Sequence, residues 1–269
     1  MKVQNKVIIV TGGGSGLGRE LVLNLLSKDA KVIAIDINAS GLQETSEMAG
    51  SKNKSLSTFV TDITNKISVE KLLNDAINQI GYVDGIINNA GIIQPFKKVV
   101  ELDYEAIERV MNVNFYGTLY MTKAFLPHFL TRPEAHVVNI SSMGGFLPVP
   151  GQTIYGASKA AVKLFTEGLN SELAKTNVHV TAVFPGAINT NITKNSGLSL
   201  PQQPSADAKS MKALSPAKAA QIIINAMENN EYRILVGKDA SFMDFIYRLN
   251  PKRAARFINN KMQSLLSNA

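Results

Sequence analysis

Residues 7–18 read VIIVTGGGSGLG, a short apolar run that leads straight into a glycine-rich turn. The nearly continuous apolar character of the run predicts a strand buried on both faces, as in a parallel sheet. The residues after the turn predict a helix over 17–28. A strand, a glycine-rich turn and a helix in this order direct backbone N–H groups towards the positive end of the helix, where a phosphate group can bind. Because many glycine-rich turns are only turns, this interpretation depends on the rest of the chain.

Short β-branched runs and longer helical patterns alternate along the chain. Strands are predicted at 7–10, 31–36, 57–61, 85–88, 136–140, 179–184 and 233–236, and helices at 17–28, 40–49, 66–80, 103–131, 153–175 and 216–228. This alternation implies right-handed crossovers between parallel strands. We therefore predict an α/β fold, with a doubly wound parallel sheet of about seven strands and helices on both of its faces.

The composition excludes several classes of protein. The chain has 269 residues, 45% of them hydrophobic and 18% charged, which is typical of a globular protein. It has no cysteine and three scattered histidines, so thiolate chemistry is excluded and we expect no metal site. The net charge of +7 would suit an anionic cofactor as well as a nucleic acid or a membrane. No basic run is interleaved with aromatic residues, no apolar run reaches transmembrane length and none resembles a signal-peptide core. We therefore expect a cytoplasmic protein that does not bind nucleic acid.

Asp36 stands at the end of the predicted second strand. A carboxylate at this position can accept hydrogen bonds from both hydroxyls of an adenosine ribose and repels a 2′-phosphate. The alternative is an aspartate that only caps a helix or a turn. Neither Ile37 nor Ser15 supplies a positive charge that could neutralise a phosphate. We therefore expect NAD(H) to be preferred, while Arg19 and Lys31 leave NADP(H) open.

Tyr155 and Lys159 are four residues apart in the predicted helix 153–175, so their side chains share one face. A free tyrosine titrates near pH ~10, and a neighbouring cation favours the phenolate, which suits proton transfer closer to neutral pH. Ser142 follows the predicted strand 136–140. Because the carboxyl ends of strands form the ligand crevice of a doubly wound sheet, we expect these three side chains on one rim. In isolation, most such Tyr–Lys pairs are solvated surface neighbours.

The order of these motifs resembles the compact, single-domain branch of the short-chain dehydrogenase/reductase family. The motifs T-G-x-x-x-G-x-G, N-N-A-G, N, S, Y-x-x-x-K and P-G appear in this order over roughly residues 5–190. The resemblance implies a Rossmann-type, NAD(P)-binding catalytic domain over 1–238, followed by a helical extension over 239–269. It also implies an oxidoreductase that transfers hydride between a nicotinamide cofactor and a secondary alcohol or ketone.

The resemblance further assigns the site residues. Tyr155 would exchange a proton with the substrate oxygen, Lys159 would lower the phenol pKa and hold the nicotinamide ribose, and Ser142 would hydrogen-bond to the substrate oxygen. Asn114 would anchor a water that relays protons from Lys159. The residues expected to bind the cofactor are Gly12, Gly14, Ser15, Gly16, Leu17, Gly18, Asp36, Ile37, Asp62, Ile63, Asn88, Ala90, Gly91, Tyr155, Lys159, Pro185, Gly186, Ile188 and Thr190.

Two regions should decide the substrate and the partners. Residues 94–96, 143–147, Gln152 and the polar loop 189–212 are expected to contact the substrate, which we expect to be apolar or acyl-like. The extension interleaves apolar residues at helical spacing with basic ones, and Pro251 separates two predicted helices. We favour helices that pack on the domain or on a neighbouring subunit over a peripheral membrane contact. The family resemblance implies a homodimer or homotetramer.

Two other functions are open to a chain of this kind. The first is the epimerisation or dehydration of nucleotide sugars, but the short chain and the glycine spacing argue against it. The second is a non-catalytic nucleotide sensor or scaffold. Such proteins commonly lose the tyrosine or the lysine, whereas this chain has both Tyr155 and Lys159.

Overall fold

The computed structural model describes residues 1–190, 192–198 and 213–266 of the chain, with side chains described as far as Met262. All seven described strands run parallel in one sheet of order β3-β2-β1-β4-β5-β6-β7. They are β1 (Val7–Thr11), β2 (Lys31–Asp36), β3 (Leu56–Val60), β4 (Gly85–Asn88), β5 (Ala135–Ile140), β6 (Val178–Pro185) and β7 (Arg233–Val236). The doubly wound sheet that the sequence predicts is confirmed.

Helices cover both faces of the sheet. They are α1 (Gly16–Ser27), α2 (Ala39–Met48), α3 (Lys66–Ile80), α4 (Tyr104–Met111), α5 (Thr118–Thr131), α6 (Thr153–Glu172), α7 (Ile192–Asn195), α8 (Pro216–Glu228), α9 (Lys238–Leu249) and α10 (Pro251–Leu266). Because side chains alternate along a strand, Ile8 and Val10 of β1 pack with α1 and α8, whereas Val7 and Ile9 pack with α3, α5 and α6. Burial on both faces explains why the strands read as continuous apolar runs.

The predicted helix 103–131 is interrupted in the structure. A π-helical segment, Asn112–Gly117, separates α4 from α5. Within it, the amide of Asn114 is fully buried and hydrogen-bonds to both backbone groups of Ile92. A π segment inside a longer helix is frequently found at a functional site. The hydrophobic pattern could not reveal it, because the contact is with a loop more than twenty residues earlier in the chain.

The predicted C-terminal helical extension is confirmed as α9 and α10. Met243 of α9 and Ala254 and Ile258 of α10 are buried together with Leu147, which lies in the loop after β5. The helices are therefore fixed to the loop that follows Ser142. The predicted boundary between a domain over 1–238 and an extension over 239–269 remains a prediction. In the predicted loop 189–212, α7 is described, whereas residues 191 and 199–212 lie outside the described residues.

Candidate active site

A cavity of about 450 Å³ opens at the carboxyl ends of the strands, across the point where the strand order reverses between β1 and β4. In open α/β sheets this reversal point is where ligands bind. Of the residues assigned from the sequence, its walls include Gly12, Ser15, Gly16, Leu17, Gly18, Asp36, Ile37, Asp62, Ile63, Ala90, Gly91, Ser142, Tyr155, Lys159, Pro185, Gly186, Ile188 and Thr190. Residues from six different strand ends thus meet in one place.

Three of the assigned residues lie outside the walls of the cavity. The N–H of Gly14 donates to the Asp36 carboxylate at 3.0 Å, which joins the glycine turn to the end of β2. Asn88 is buried beneath the cavity, where its amide donates to Asn139 at 2.8 Å and to Thr122 at 3.0 Å. Asn114 is likewise fully buried. These three residues support the segments that line the cavity and are not themselves part of its walls.

The turn after β1 requires glycine because its backbone segments pack too closely for side chains. A Cβ on Gly18 would lie 1.9 Å from the carbonyl oxygen of Gly12, which no side chain could tolerate. Gly12 itself has a φ of +71°, in the left-handed region that favours glycine. The turn leads directly into α1, which begins at Gly16 and lines the cavity with its first residues. The first N–H groups of a helix have no partner within it, so this end of α1 can bind an anionic group.

The carboxylate of Asp36 is held in place at the edge of the cavity. It accepts hydrogen bonds from the N–H groups of Gly14 and Asn38, both at 3.0 Å. The nearby guanidinium of Arg19 already has partners within the protein, because it donates to the Gly14 carbonyl and pairs with Glu44 at 2.6 Å. This pairing lowers the pKa of Glu44. The charge of Arg19 is therefore committed to the protein itself.

Lys159 is 4% exposed and its ammonium donates to the carbonyl oxygen of Ile140 at 2.9 Å. Burial lowers the pKa of Lys159 to about 8. Burial also raises the pKa of Tyr155, and a hydrogen bond with Ser142 opposes this effect. The protein alone therefore does not favour the phenolate, contrary to the expectation from the Tyr–Lys spacing. The physical reason is that the low-dielectric surroundings disfavour the charged form of both groups.

A chain of buried hydrogen bonds fixes the first turns of α6. The amide of Asn114 donates to the Ser158 hydroxyl at 2.9 Å, and this hydroxyl donates to the Tyr155 carbonyl at 2.7 Å. The Ser141 hydroxyl donates to the Lys159 carbonyl at 2.7 Å. A Cβ on Gly91 would lie 3.2 Å from both Asn114 Oδ1 and Lys159 Nζ, so the missing side chain leaves the space in front of these atoms open.

Gln94 and Gln152, which the sequence analysis places at the substrate, are instead part of the support for α6. Gln94 is fully buried, and its Oε1 accepts from the N–H groups of Ile154 at 2.7 Å and Tyr155 at 3.0 Å. Its amide nitrogen donates to the Gly151 carbonyl, and Gln152 donates to the Gln94 carbonyl, both at 2.9 Å. Gln94 thus caps the helix that carries Tyr155 from about sixty residues away in the sequence.

Two residues in the cavity wall, Arg109 and Asn195, are not assigned to the site from the sequence, because neither belongs to a recognisable motif. Arg109, on α4, places a positive charge in the wall of the cavity. Asn195, at the end of α7, donates to the Ser15 hydroxyl at 2.7 Å and so joins the 189–212 segment to the glycine turn. Among the described residues, no group of three or more His, Asp or Glu side chains is arranged to hold a metal ion.

Comparison with known proteins agrees with this geometry. A sequence model of the short chain dehydrogenase family matches residues 6–200. The chain belongs to this family. A protein of Mycobacterium tuberculosis, named as the oxidoreductase SadH, is 36% identical over 252 residues, which cover 91% of each chain.

Solved structures of other short-chain dehydrogenases share the fold. One from Burkholderia phymatum, in complex with NAD, gives a TM-score of 0.84 at 25% identity and covers 94% of this chain and 96% of its own. One from Burkholderia cenocepacia, in complex with NADP, gives a TM-score of 0.79 at 26% identity, with 96% and 99% covered. The protein is accordingly an NAD(P)-dependent short-chain dehydrogenase/reductase.

The buried cap on α6 gives a first prediction for this dehydrogenase. Gln94→Met fills the same space but leaves two N–H groups and two carbonyls without their partner. We expect the free energy of unfolding to fall by about 2–4 kcal/mol. We also expect kcat to fall about tenfold, because Tyr155 loses its fixed position, while the dissociation constant for NADH stays nearly unchanged. Chemical denaturation, turnover and cofactor titration measure the three effects.

Gln43→Met is the matched control. Gln43 is exposed on α2 and bonds only to Glu47 across one helical turn. The same chemical change there should leave stability and turnover nearly unaltered. Two outcomes would show that Gln94 is not a positioning residue for Tyr155. One is that Gln94→Met lowers both the NADH affinity and kcat, and the other is that it changes neither.

Proposed function

We propose that this dehydrogenase transfers hydride between NAD(H) and a secondary alcohol or ketone by means of Ser142, Tyr155 and Lys159. The observation that carries the proposal is that these three side chains line the same cavity as the glycine turn and Asp36. This combination suits proton transfer beside a bound dinucleotide. When bound, the cofactor supplies or accepts the hydride at its nicotinamide ring.

The residues of the cavity fit a nicotinamide dinucleotide. The N–H groups at the start of α1 would hold the diphosphate, and Asp36 would accept the adenosine ribose hydroxyls. The open space beside Gly91 lies in front of Lys159, which would hold the nicotinamide ribose. Pro185 and Gly186, at the end of β6, would contact the nicotinamide end.

The chemistry of the protein then follows from the site. In reduction, Ser142 donates a hydrogen bond to the substrate carbonyl oxygen and stabilises the negative charge that develops there. The Tyr155 phenol, kept protonated by burial, gives its proton to that oxygen. The Lys159 ammonium stabilises the phenolate that remains, and the cluster of Asn114, Ser158 and Ile92 holds the helix in register. Oxidation runs the same proton transfer in reverse.

The preference for NAD(H) is supported by the charges around Asp36. A 2′-phosphate would meet this carboxylate, while Arg19 is occupied by Gly14 and Glu44. Lys31 stands at the first residue of β2, whereas Asp36 stands at its last. A strand of this length separates them by about 16 Å, so Lys31 cannot reach the same ligand group.

Asp36→Asn tests this preference. The amide keeps the size of the side chain and removes its charge, so we expect the ratio of NADPH to NADH affinity to rise about tenfold or more. Titration of cofactor fluorescence with both cofactors measures it. Asp62→Asn, which removes the other carboxylate from the cavity wall, is the control and should change the ratio much less. An unmodified protein that bound NADPH more tightly than NADH would overturn the assignment.

An apolar or acyl-type substrate is supported by described side chains in the cavity that are not assigned to the cofactor. Ile92, Ile93 and Ile192 all line the cavity. These side chains offer a substrate an apolar surface that is favourable to cover. A panel of carbonyl compounds of increasing chain length, assayed with NADH, tests this class, and a flat response to chain length would contradict it.

A further inference from the structure

The C-terminal helices expose four large apolar side chains that form one continuous surface, here called the aromatic patch. Phe242, Phe245 and Leu249 on α9 are 53%, 62% and 70% exposed, and Phe257 on α10 is 42% exposed. The three residues of α9 share one helical face. The rings of Phe242 and Phe257 contact each other edge to face, with centroids 6.4 Å apart, so the patch runs across both helices.

These side chains are not needed for packing between the helices and the domain. That role belongs to other faces of the two helices, where Met243, Ala254 and Ile258 are buried against Leu147. The aromatic patch therefore keeps apolar area in water at a cost to solubility, and contiguous patches of this kind mark interaction sites.

Positive charge lies on the same two helices as the patch. The exposed basic residues on the two helices are Lys238, Arg248, Lys252, Arg253, Arg256 and Lys261. Arg253, Phe257 and Lys261 are spaced four apart, which places an aromatic ring between two cations on one stripe of α10. Of these six, only Arg248 forms an ion pair within the described part of the chain.

The two acidic residues of this region only partly offset the six positive charges, because Asp239 bonds to the backbone and Asp244 pairs with only one of the six, Arg248. Asp239 accepts a hydrogen bond from the N–H of Ala187 at 2.7 Å. Asp244 is buried and pairs with Arg233 at 2.7 Å and Arg248 at 2.9 Å. The surface that a partner would meet thus combines exposed apolar side chains with five basic residues that form no ion pair within the described part of the chain.

This arrangement is a poor match for a second copy of the chain. In a two-fold pair the same patch faces itself, so the cations of one copy would approach those of the other. Like charges brought together in this way oppose association. An anionic surface, by contrast, would neutralise the charges and cover the apolar side chains at the same time.

We propose that the aromatic patch docks this dehydrogenase on anionic lipid membranes, with α9 and α10 lying in the plane of the interface. Phe242, Phe245, Leu249 and Phe257 enter the headgroup region, and the exposed cations of the two helices meet the lipid phosphates. The contact is peripheral, since none of the described helices is long and apolar enough to cross a membrane. The proposal does not depend on the identity of the substrate or on the cofactor preference.

The position of the helices relates this surface to the cavity. α9 begins directly after β7, and Asp239 on it holds Ala187, which lines the cavity beside Gly186. Docking would therefore bring the edge of the cavity close to the lipid surface, where apolar alcohols and ketones concentrate.

Vesicle co-sedimentation of the full chain tests the proposal. We expect binding to vesicles of phosphatidylcholine and phosphatidylglycerol in equal parts, and little binding to phosphatidylcholine alone. Binding should weaken strongly between about 0.05 M and about 0.5 M NaCl, because salt screens the exposed charges. Phe245→Gln with Leu249→Gln should lower the vesicle affinity about tenfold or more, and so should Arg253→Gln with Lys261→Gln.

The matched control makes the same change at two apolar side chains outside the patch. Ile67→Gln with Val100→Gln replaces residues that are 77% and 89% exposed, and it should leave vesicle binding unaltered. NADH titration of every variant checks that the fold is retained. Binding that was absent, equal for both vesicle types or unaffected by the patch variants would overturn the proposal. So would a patch variant that dissociated an oligomer and left vesicle binding intact, since a second copy would then cover the patch.

Discussion

Tyr155→Phe should lower kcat about a thousandfold while the protein still folds and binds NADH. The substitution removes one hydroxyl, and with it the proton that the substrate oxygen receives in reduction. The substitution keeps the aromatic ring and gives up the hydrogen bond with Ser142, which is worth about 1 kcal/mol, so the fold should be retained. The measurement is steady-state turnover with the best ketone of the panel, combined with a cofactor titration.

Tyr232→Phe is the matched control for this experiment. Tyr232 is 44% exposed beside β7 and does not line the cavity. The Tyr232→Phe variant should therefore keep the full turnover of the wild-type protein. Wild-type turnover in Tyr155→Phe would remove Tyr155 from the mechanism, whereas a loss of NADH binding in the same variant would point to a structural role.

Lys159→Met should make the cofactor-free protein more stable at pH 7, although it should abolish most turnover. Burial lowers the pKa of Lys159 from 10.5 to about 8. This difference corresponds to about 3 kcal/mol of cost when the charged side chain is folded into the core. The variant also leaves the Ile140 carbonyl without its donor, which costs about 1 kcal/mol. A net gain of about 2 kcal/mol is therefore expected in the free energy of unfolding.

The gain should depend on pH in a defined direction. Below pH 8 the lysine is protonated in both the folded and the unfolded protein, so the full cost of burial is present. As the pH rises from about 8 to 10.5, the folded chain has lost a proton that the unfolded chain still holds, and the wild-type protein recovers stability. The difference between variant and wild type should thus shrink over this range. Denaturation in urea at several pH values measures it.

Lys163→Met, one helical turn further along α6, is the control for this prediction. Lys163 forms a half-buried ion pair with Glu167 at 2.8 Å, and such pairs contribute little. We expect a small loss of stability with no such pH dependence. A Lys159→Met variant that was less stable than wild type at pH 7 would mean that the buried ammonium stabilises the fold.

The strands could be predicted from the sequence to within one or two residues, because each is a short apolar run bounded by polar residues or glycine. Most residues of the cavity walls could also be predicted, because the motif residues stand at strand ends, and the carboxyl ends of parallel strands meet at one edge of the sheet. Gln94 could not be assigned correctly. Its amide bonds to residues about sixty positions away, and nothing in the local pattern distinguishes a buried cap from a substrate contact.

The sequence by itself thus determined the sheet, the glycine turn, the position of Asp36 and the grouping of Ser142, Tyr155 and Lys159, because periodicity and spacing act locally along the chain. Only the tertiary structure decided the protonation tendencies of Tyr155 and Lys159, since these depend on burial by residues from several elements. It also decided which apolar residues of the C-terminal helices are buried and which form the aromatic patch. A helical pattern identifies an apolar face, but only packing shows whether the protein itself covers it.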